Sequence, residues 1–108
     1  MKQVIDNKLY DTEKSKLLYQ FVKNVPETRY FIGKEYSVNC WRDTDLYKTA
    51  KGNYFIHIKQ PNIDHNSATN YGERKEYIEQ ISYDEAKEIV QKLNVDKAIE
   101  LFGEIEEA

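Results

Sequence analysis

The sequence predicts an α+β protein: a mostly antiparallel, twisted sheet packed by two C-terminal helices. Three observations predict it. Residues 45–59, "DLYKTAKGNYFIHIK", set two β-prone runs on either side of Lys51-Gly52, as a β-hairpin does. Residues 82–103 carry apolar side chains at helical spacing between start and stop signals. The length, 108 residues with 40% hydrophobic and 13% aromatic content, suits a single domain spanning 1–108 with a core of its own.

Taken in order, "QVIDNKLYD" places Asp6-Asn7 between two short β-prone pieces and predicts an opening hairpin. In "DTEKSKLLYQFV", Asp11 or Thr12 is suited to cap a helical turn, with Glu13 at its positive end. Leu17, Leu18, Phe21 and Val22 fit a short helix, while Tyr19 and Phe21 alternate as in a strand; both readings stand. Pro26 lacks an amide hydrogen and biases Val25 toward extended geometry, so it is expected to stop the preceding element. "RYFIG" and "EYSVNCW" read as short strands around Gly33.

The hairpin follows. Tyr54, Ile56 and Ile58 point to one face and Phe55, His57 and Lys59 to the other. The first triplet is the expected core face; the second is expected to face outward or toward a partner. A two-residue turn would pair Tyr47 with Ile56. A longer loop with Gly52 in a left-handed bulge pairs Leu46 with Ile56, and this register buries the better residue. Residues 60–75, "QPNIDHNSATNYGERK", are expected to be irregular, and loops of this length are often functional. "KEYIEQI" returns as a strand. Ser82 and Glu85 form a capping box. Ala86, Ile89, Val90 and Leu93 then make one helix face, and Val95, Ala98, Ile99 and Phe102 restart it. The helices are therefore placed at about 83–93 and 95–102, breaking near Asn94 and ending at Gly103.

Composition narrows the function classes. A lone cysteine, Cys40, allows no internal disulfide and points to a reducing compartment. The start, "MKQVIDNKLYD", has no signal-peptide-like apolar stretch, and nowhere do about 18 apolar residues run together. The expectation is a cytoplasmic protein without membrane contact. Net charge is −3, split between +3 over residues 1–72 and −6 over residues 73–108. Glu73, Glu76, Glu79, Asp84, Glu85 and Glu88 supply a carboxylate-rich stretch that suits either a solvated face or a phosphate-imitating surface for a basic partner. Lysines interleave with aromatics in "YKTAKGNYFIHIK", as in proteins that stack bases, but a pI near 5.4 opposes direct nucleic-acid binding.

Catalytic and metal chemistry find little purchase. Cys40, His57 and His65 are the soft or imidazole ligands, and no local pair has metal-ligand spacing, so no metal or cofactor is expected. A nucleophile at Cys40 would need His57 or His65 as base and Asp45 or Asp64 as orienter. No glycine elbow surrounds it. The four glycines stand isolated at 33, 52, 72 and 103, so no phosphate-cradling loop is present.

Three stretches, "DNKLYDTEKSKLL", "DLYKTAKGNYFIHI" and "ISYDEAKEIVQKLNVDKAIELFGEIEEA", appear in that order and cover about half the chain. Together they resemble a family of small proteins from phages, plasmids and integrative elements of Gram-positive bacteria. Residues 23–44 are longer than the usual connection in that family, and Gly72 alone stands where relatives have a glycine-rich turn. The resemblance implies an anti-CRISPR protein, an inhibitor of a type II RNA-guided effector nuclease that acts by occlusion and without catalysis. The alternative is a non-enzymatic regulatory or interaction module of a mobile element unrelated to CRISPR. Under either reading the partner is a host protein. The residues proposed to meet it are the six acidic ones above with Phe55, His57 and Lys59.

Overall fold

The computed structural model describes residues 1–60 and 75–103. Six strands and two helices follow one another: β1 (Lys2–Ile5), β2 (Lys8–Asp11), β3 (Lys16–Phe31), β4 (Lys34–Lys48), β5 (Tyr54–Gln60), β6 (Lys75–Ile81), α1 (Tyr83–Leu93) and α2 (Val95–Phe102). β1 and β2 form a two-stranded sheet; β3-β4-β5-β6 form a four-stranded antiparallel sheet in sequence order. The α+β architecture with two C-terminal helices is as the sequence predicts.

Local chemistry explains most boundaries. Asp6 and Asn7 both adopt positive φ, 51° and 63°, the left-handed pair that a tight hairpin requires and that Asp and Asn tolerate. Between β4 and β5 the Gly52 amide donates to the Thr49 carbonyl, and Gly52 takes φ 89°. That left-handed residue sets the register Leu46↔Ile56, the arrangement expected to bury Leu46. The capping box at Ser82 and Glu85 is complete in both directions. Asn94 ends α1 and caps α2 by accepting the Lys97 amide, and Gly103 closes α2 at φ 92°.

One open reading is settled and two expectations need correction. "DTEKSKLLYQFV" forms a single 3₁₀ turn at Thr12–Lys14, capped by Asp11, and then enters β3. The alternation of Tyr19 and Phe21 prevails over the helical spacing because β4 offers a full-length pairing partner. Pro26 does not stop the chain. β3 is an edge strand, where a missing amide donor can face away from the sheet. "RYFIG" and "EYSVNCW" are accordingly not separate short strands but the far ends of β3 and β4, joined through Ile32 and Gly33 at φ 50° and 70°. Of the expected irregular segment, Gln60 and Lys75 belong to strands, and 61–74 lie outside the described residues.

The core has two halves, one on each face of the sheet. On one face α1 and α2 cover Leu46, Tyr54, Ile56 and Ile58 with Ala86, Val90 and Ala98. On the other the β1–β2 hairpin lays Tyr10 and Ile5 over Phe55 and Ile78, with Tyr47 stacked on Phe55 at 5.1 Å. Phe55, expected to face outward, is wholly buried, and His57 is 7% exposed. The sequence alternation of β5 is real, but both of its faces are interior.

Replacing Ser82 with Ala removes one half of the capping box. It is expected to lower unfolding free energy by about 1 kcal/mol, read from the urea midpoint at unchanged slope.

Candidate interaction surface

Strand register sorts the chemistry-bearing side chains onto two faces. Directly opposed residues share a face, so Gln20, Asp45, His57 and Ile78 form one row across the sheet, and Val22, Asp43, Lys59 and Glu76 form the next. Polar contacts run diagonally between these rows. His57 Nε2 meets Glu76 Oε1 at 2.8 Å, and Lys59 Nζ donates to Asp45 Oδ2 at 3.1 Å. Gln20 Nε2 donates to the other Asp45 oxygen at 3.1 Å. Asp45 and His57 are buried, so each depends on its partner.

The same neighbours shift two titrations. The hydrogen bond to Asp45 holds the Lys59 ammonium above its ordinary pKa. Burial, followed by the negative charge of Asp45, raises the Tyr47 phenol.

Cys40 belongs to the opposite face. It pairs with Val25, two places from the Lys23↔Arg42 pair, and the β4 alternation runs unbroken from there to Leu46 on the helix-covered side. The thiol is buried. The sheet therefore separates Cys40 from His57 and Asp45, and the sulfur–imidazole pairing considered for a nucleophile does not form between them. His65 and Asp64 lie outside the described residues. Among the described residues no three His, Cys, Asp or Glu side chains are grouped to hold a metal ion, and no helix is long and apolar enough to cross a membrane.

The acidic residues do not converge on one surface. Glu76 lies on the hairpin-covered face, bound to His57, whereas Glu79 lies opposite Ile56 on the helix-covered face. Glu85 accepts the Ser82 amide, and Glu88 pairs with Lys92 at 2.8 Å, which holds its carboxyl below the usual range. Asp84 is exposed in the first turn of α1, and Glu73 lies outside the described residues. Of the three outward-facing expectations in β5, Lys59 alone retains an exposed side chain, at 45%. Phe55 is covered by Tyr10 of the β1–β2 hairpin, and His57 is buried with its imidazole held by Glu76.

The largest exposed feature is one the sequence reading missed. β5 pairs with β4 only from Lys48 to Asp43. Beyond that point, among the described residues, β3 and β4 pair only with each other through nine positions, Lys23↔Arg42 to Phe31↔Lys34, a ribbon about 30 Å long. The Cα radius of gyration, 16.8 Å, exceeds the roughly 13 Å of a compact chain of this length.

One face of this arm and its base consists of Val22, Asn24, Pro26, Thr28, Tyr30, Glu35, Ser37, Asn39, Trp41 and Asp43, all exposed. Two of the ten are charged, in a chain where 32% of residues are. Val22, Tyr30 and Trp41 expose 59%, 73% and 44% of their surface, and Ile32 at the tip exposes 84%. The signal for it was the run from Lys34 to Lys48, which no Gly or Pro interrupts.

Lys59 and Tyr47 both have folded pKa values above their ordinary ones. Their contribution to stability is therefore complete below about pH 10 and is lost as pH rises through the folded values. Lys59→Met should accordingly be less stable than the parent at about pH 9, with the gap in urea midpoint closing by about pH 12.

Comparison of the chain with protein-family models, with curated proteins and with solved structures finds no match.

Proposed function

We propose that this chain is a mobile-element-encoded inhibitor that binds an RNA-guided effector nuclease of the host and blocks it by occlusion, with the β3–β4 ribbon as the contact surface. The observation that carries the binding reading is the composition of the uncovered ribbon face. Trp and Tyr are the residues that dominate binding energy in protein interfaces, and charged residues other than Arg are depleted at interface centres. Asn, Ser and Thr around them supply adaptable hydrogen bonding, as in antibody combining sites. The identity of the partner comes from the resemblance to small phage and plasmid proteins. The ribbon falls in residues 23–44, the segment longer here than in that family.

The tip supports the same reading. Ile32 is β-branched yet held at φ 50°, a conformation that costs energy for such a residue, and its side chain reaches solvent instead of the core. Folding alone would favour Asn or Gly at this position. An apolar group kept there at a cost in stability is what a contact surface requires.

Occlusion needs no chemistry on the inhibitor. An interface of about 800 Å² per side is enough for a specific complex. The exposed ribbon face, about 30 Å long with two charged residues among its ten, is the strip that would contribute to it.

In a cleavage assay with a type II effector and its guide, inhibition should be stoichiometric and saturate near one equivalent. Trp41→Ala should weaken it about thirtyfold, the equivalent of about 2 kcal/mol, with circular dichroism unchanged. Ile32→Asn should move the two properties in opposite directions, raising the unfolding free energy by about 1 kcal/mol and weakening inhibition. Multiple turnover of any substrate, or full inhibition by both variants, would refute the assignment. Binding of a different host protein through the same residues would keep the surface and replace the target.

A further inference from the structure

The two edges of the four-stranded sheet are handled differently. On β6 the Gln3 side-chain carbonyl accepts the Ile78 amide at 3.0 Å, so the β1–β2 hairpin plugs that edge. Among the described residues no strand pairs with the outer side of β3.

Pro26 identifies which groups that side presents. Having no amide hydrogen, it fits opposite Asn39 with its nitrogen turned away from β4. In antiparallel pairing every second residue shares that orientation, and the register shift in β3 lies earlier, between Leu17 and Tyr19. Gln20, Val22 and Asn24 therefore direct their N–H and C=O groups outward. The irregularity at Leu17/Tyr19 and the proline at 26 are features that blunt a sheet edge. Tyr19–Val25 between them has neither a bulge nor a proline, and its one charged side chain, Lys23, stands on the helix side.

A groove flanks this stretch on each face. On the helix side one of about 340 Å³ runs between Phe21 and the α1 residues Ile89 and Leu93, floored by Ile56 and Ile58. On the other side one of about 330 Å³ is lined by Gln20, Val22, Asp43, Asp45 and Lys59. Its formal charges, two carboxylates and one ammonium, sum to −1. Lys23 stands on the helix side, where it disfavours a second cation.

We infer that β3 takes up an extended segment of a partner protein as a fifth strand at Tyr19–Val25, and that the segment alternates apolar with basic residues. Main-chain hydrogen bonds to Gln20, Val22 and Asn24 supply the affinity, and alternate side chains fall on opposite faces of the enlarged sheet. Apolar side chains lie beside Phe21 at the groove against α1. Basic ones lie beside Val22, facing the exposed Asp43; the buried Asp45 carboxylate there is already held by Lys59 and Gln20. This rests on the reading of the chain as a binding protein and names the chemistry of the segment bound.

The test is a ¹⁵N-correlation NMR titration of the full chain with an eight-residue peptide alternating Ile and Lys. Two controls accompany it: the same peptide with Glu in place of Lys, and the Ile/Lys peptide N-methylated at alternate residues along its pairing edge. Saturable shifts centred on Tyr19–Val25 are expected, with at least about tenfold weaker binding of the Glu peptide. Binding should be lost on N-methylation. Val22→Pro should keep the spectrum dispersed, as Pro26 already does in the same strand, and lose the peptide. No saturable shift at ~1 mM peptide, equal binding of the Glu or N-methylated peptide, or shifts centred on the ribbon tip would overturn the inference. Peptide binding without nuclease inhibition would remove the proposed target alone. Inhibition sensitive to Trp41→Ala without peptide binding would remove the fifth strand alone.

Discussion

The structure depends on β5 being buried on both faces. Phe55 and Ile56 are neighbours in sequence, and both are nearly or wholly shielded from water, one under the β1–β2 hairpin and the other under the helices. A strand of this kind cannot be stable with a single covering layer, since each large apolar side chain left in water forfeits about 1.5–3 kcal/mol. The hairpin at the start of the chain and the helices at its end are therefore joint requirements of one seven-residue strand between them. The Tyr10 hydroxyl donates to Gln80 at 2.9 Å and Gln3 accepts from Ile78, which fixes the hairpin against β6. β5 also divides the sheet into body and arm, because the third strand ends where it does.

What could be read from the sequence is what local chemistry decides. Asp6-Asn7, the Ser82–Glu85 box, the Asn94 break and the left-handed Gly52 each act within five residues, and each performs as read. The alternation in β5 was equally legible, but its meaning was not. Whether Phe55 is surface or core depends on a hairpin 45 residues away in sequence, and no local pattern encodes that contact. Pro26 misled for a related reason. Its effect depends on whether the strand is at the edge or the centre, which only the assembled sheet settles. The dispersal of the acidic residues was partly legible, since Glu76 and Glu79 are an odd number of residues apart and a strand must turn them to opposite faces. Their charge attracted attention where their parity was the stronger fact.

Within the polar rows the same logic separates structure from function. His57 and Asp45 look like reactive groups in a list of residues, yet each is buried, hydrogen-bonded and next to the hairpin's margin. Buried polar groups of this sort are satisfied because leaving them unpaired costs about 1–3 kcal/mol each. They explain why Glu76 and Lys59 are where they are. Cys40, on the far side of the sheet, has no part in their network.

The arm obeys a different economy from the body. A two-stranded ribbon is marginal in water, and among the described residues no third strand runs along this one. Its register is nevertheless pinned by the left-handed Ile32-Gly33 turn at the tip and by the shared sheet at its base. In the proposed complex a partner meeting the Trp41–Tyr30 face would encounter backbone already paired, and the conformational entropy lost on binding would fall mainly on side chains with few rotors. Pre-organisation of this kind is where a small chain gains affinity without a large interface. On that face long flexible lysines and glutamates would add side-chain entropy to be lost on contact, whereas Trp, Tyr, Asn, Ser and Thr lose less. A paired backbone, stiff aromatic side chains and an edge that no described strand pairs with occupy one continuous region, from Tyr19 in the body to Ile32 at the tip.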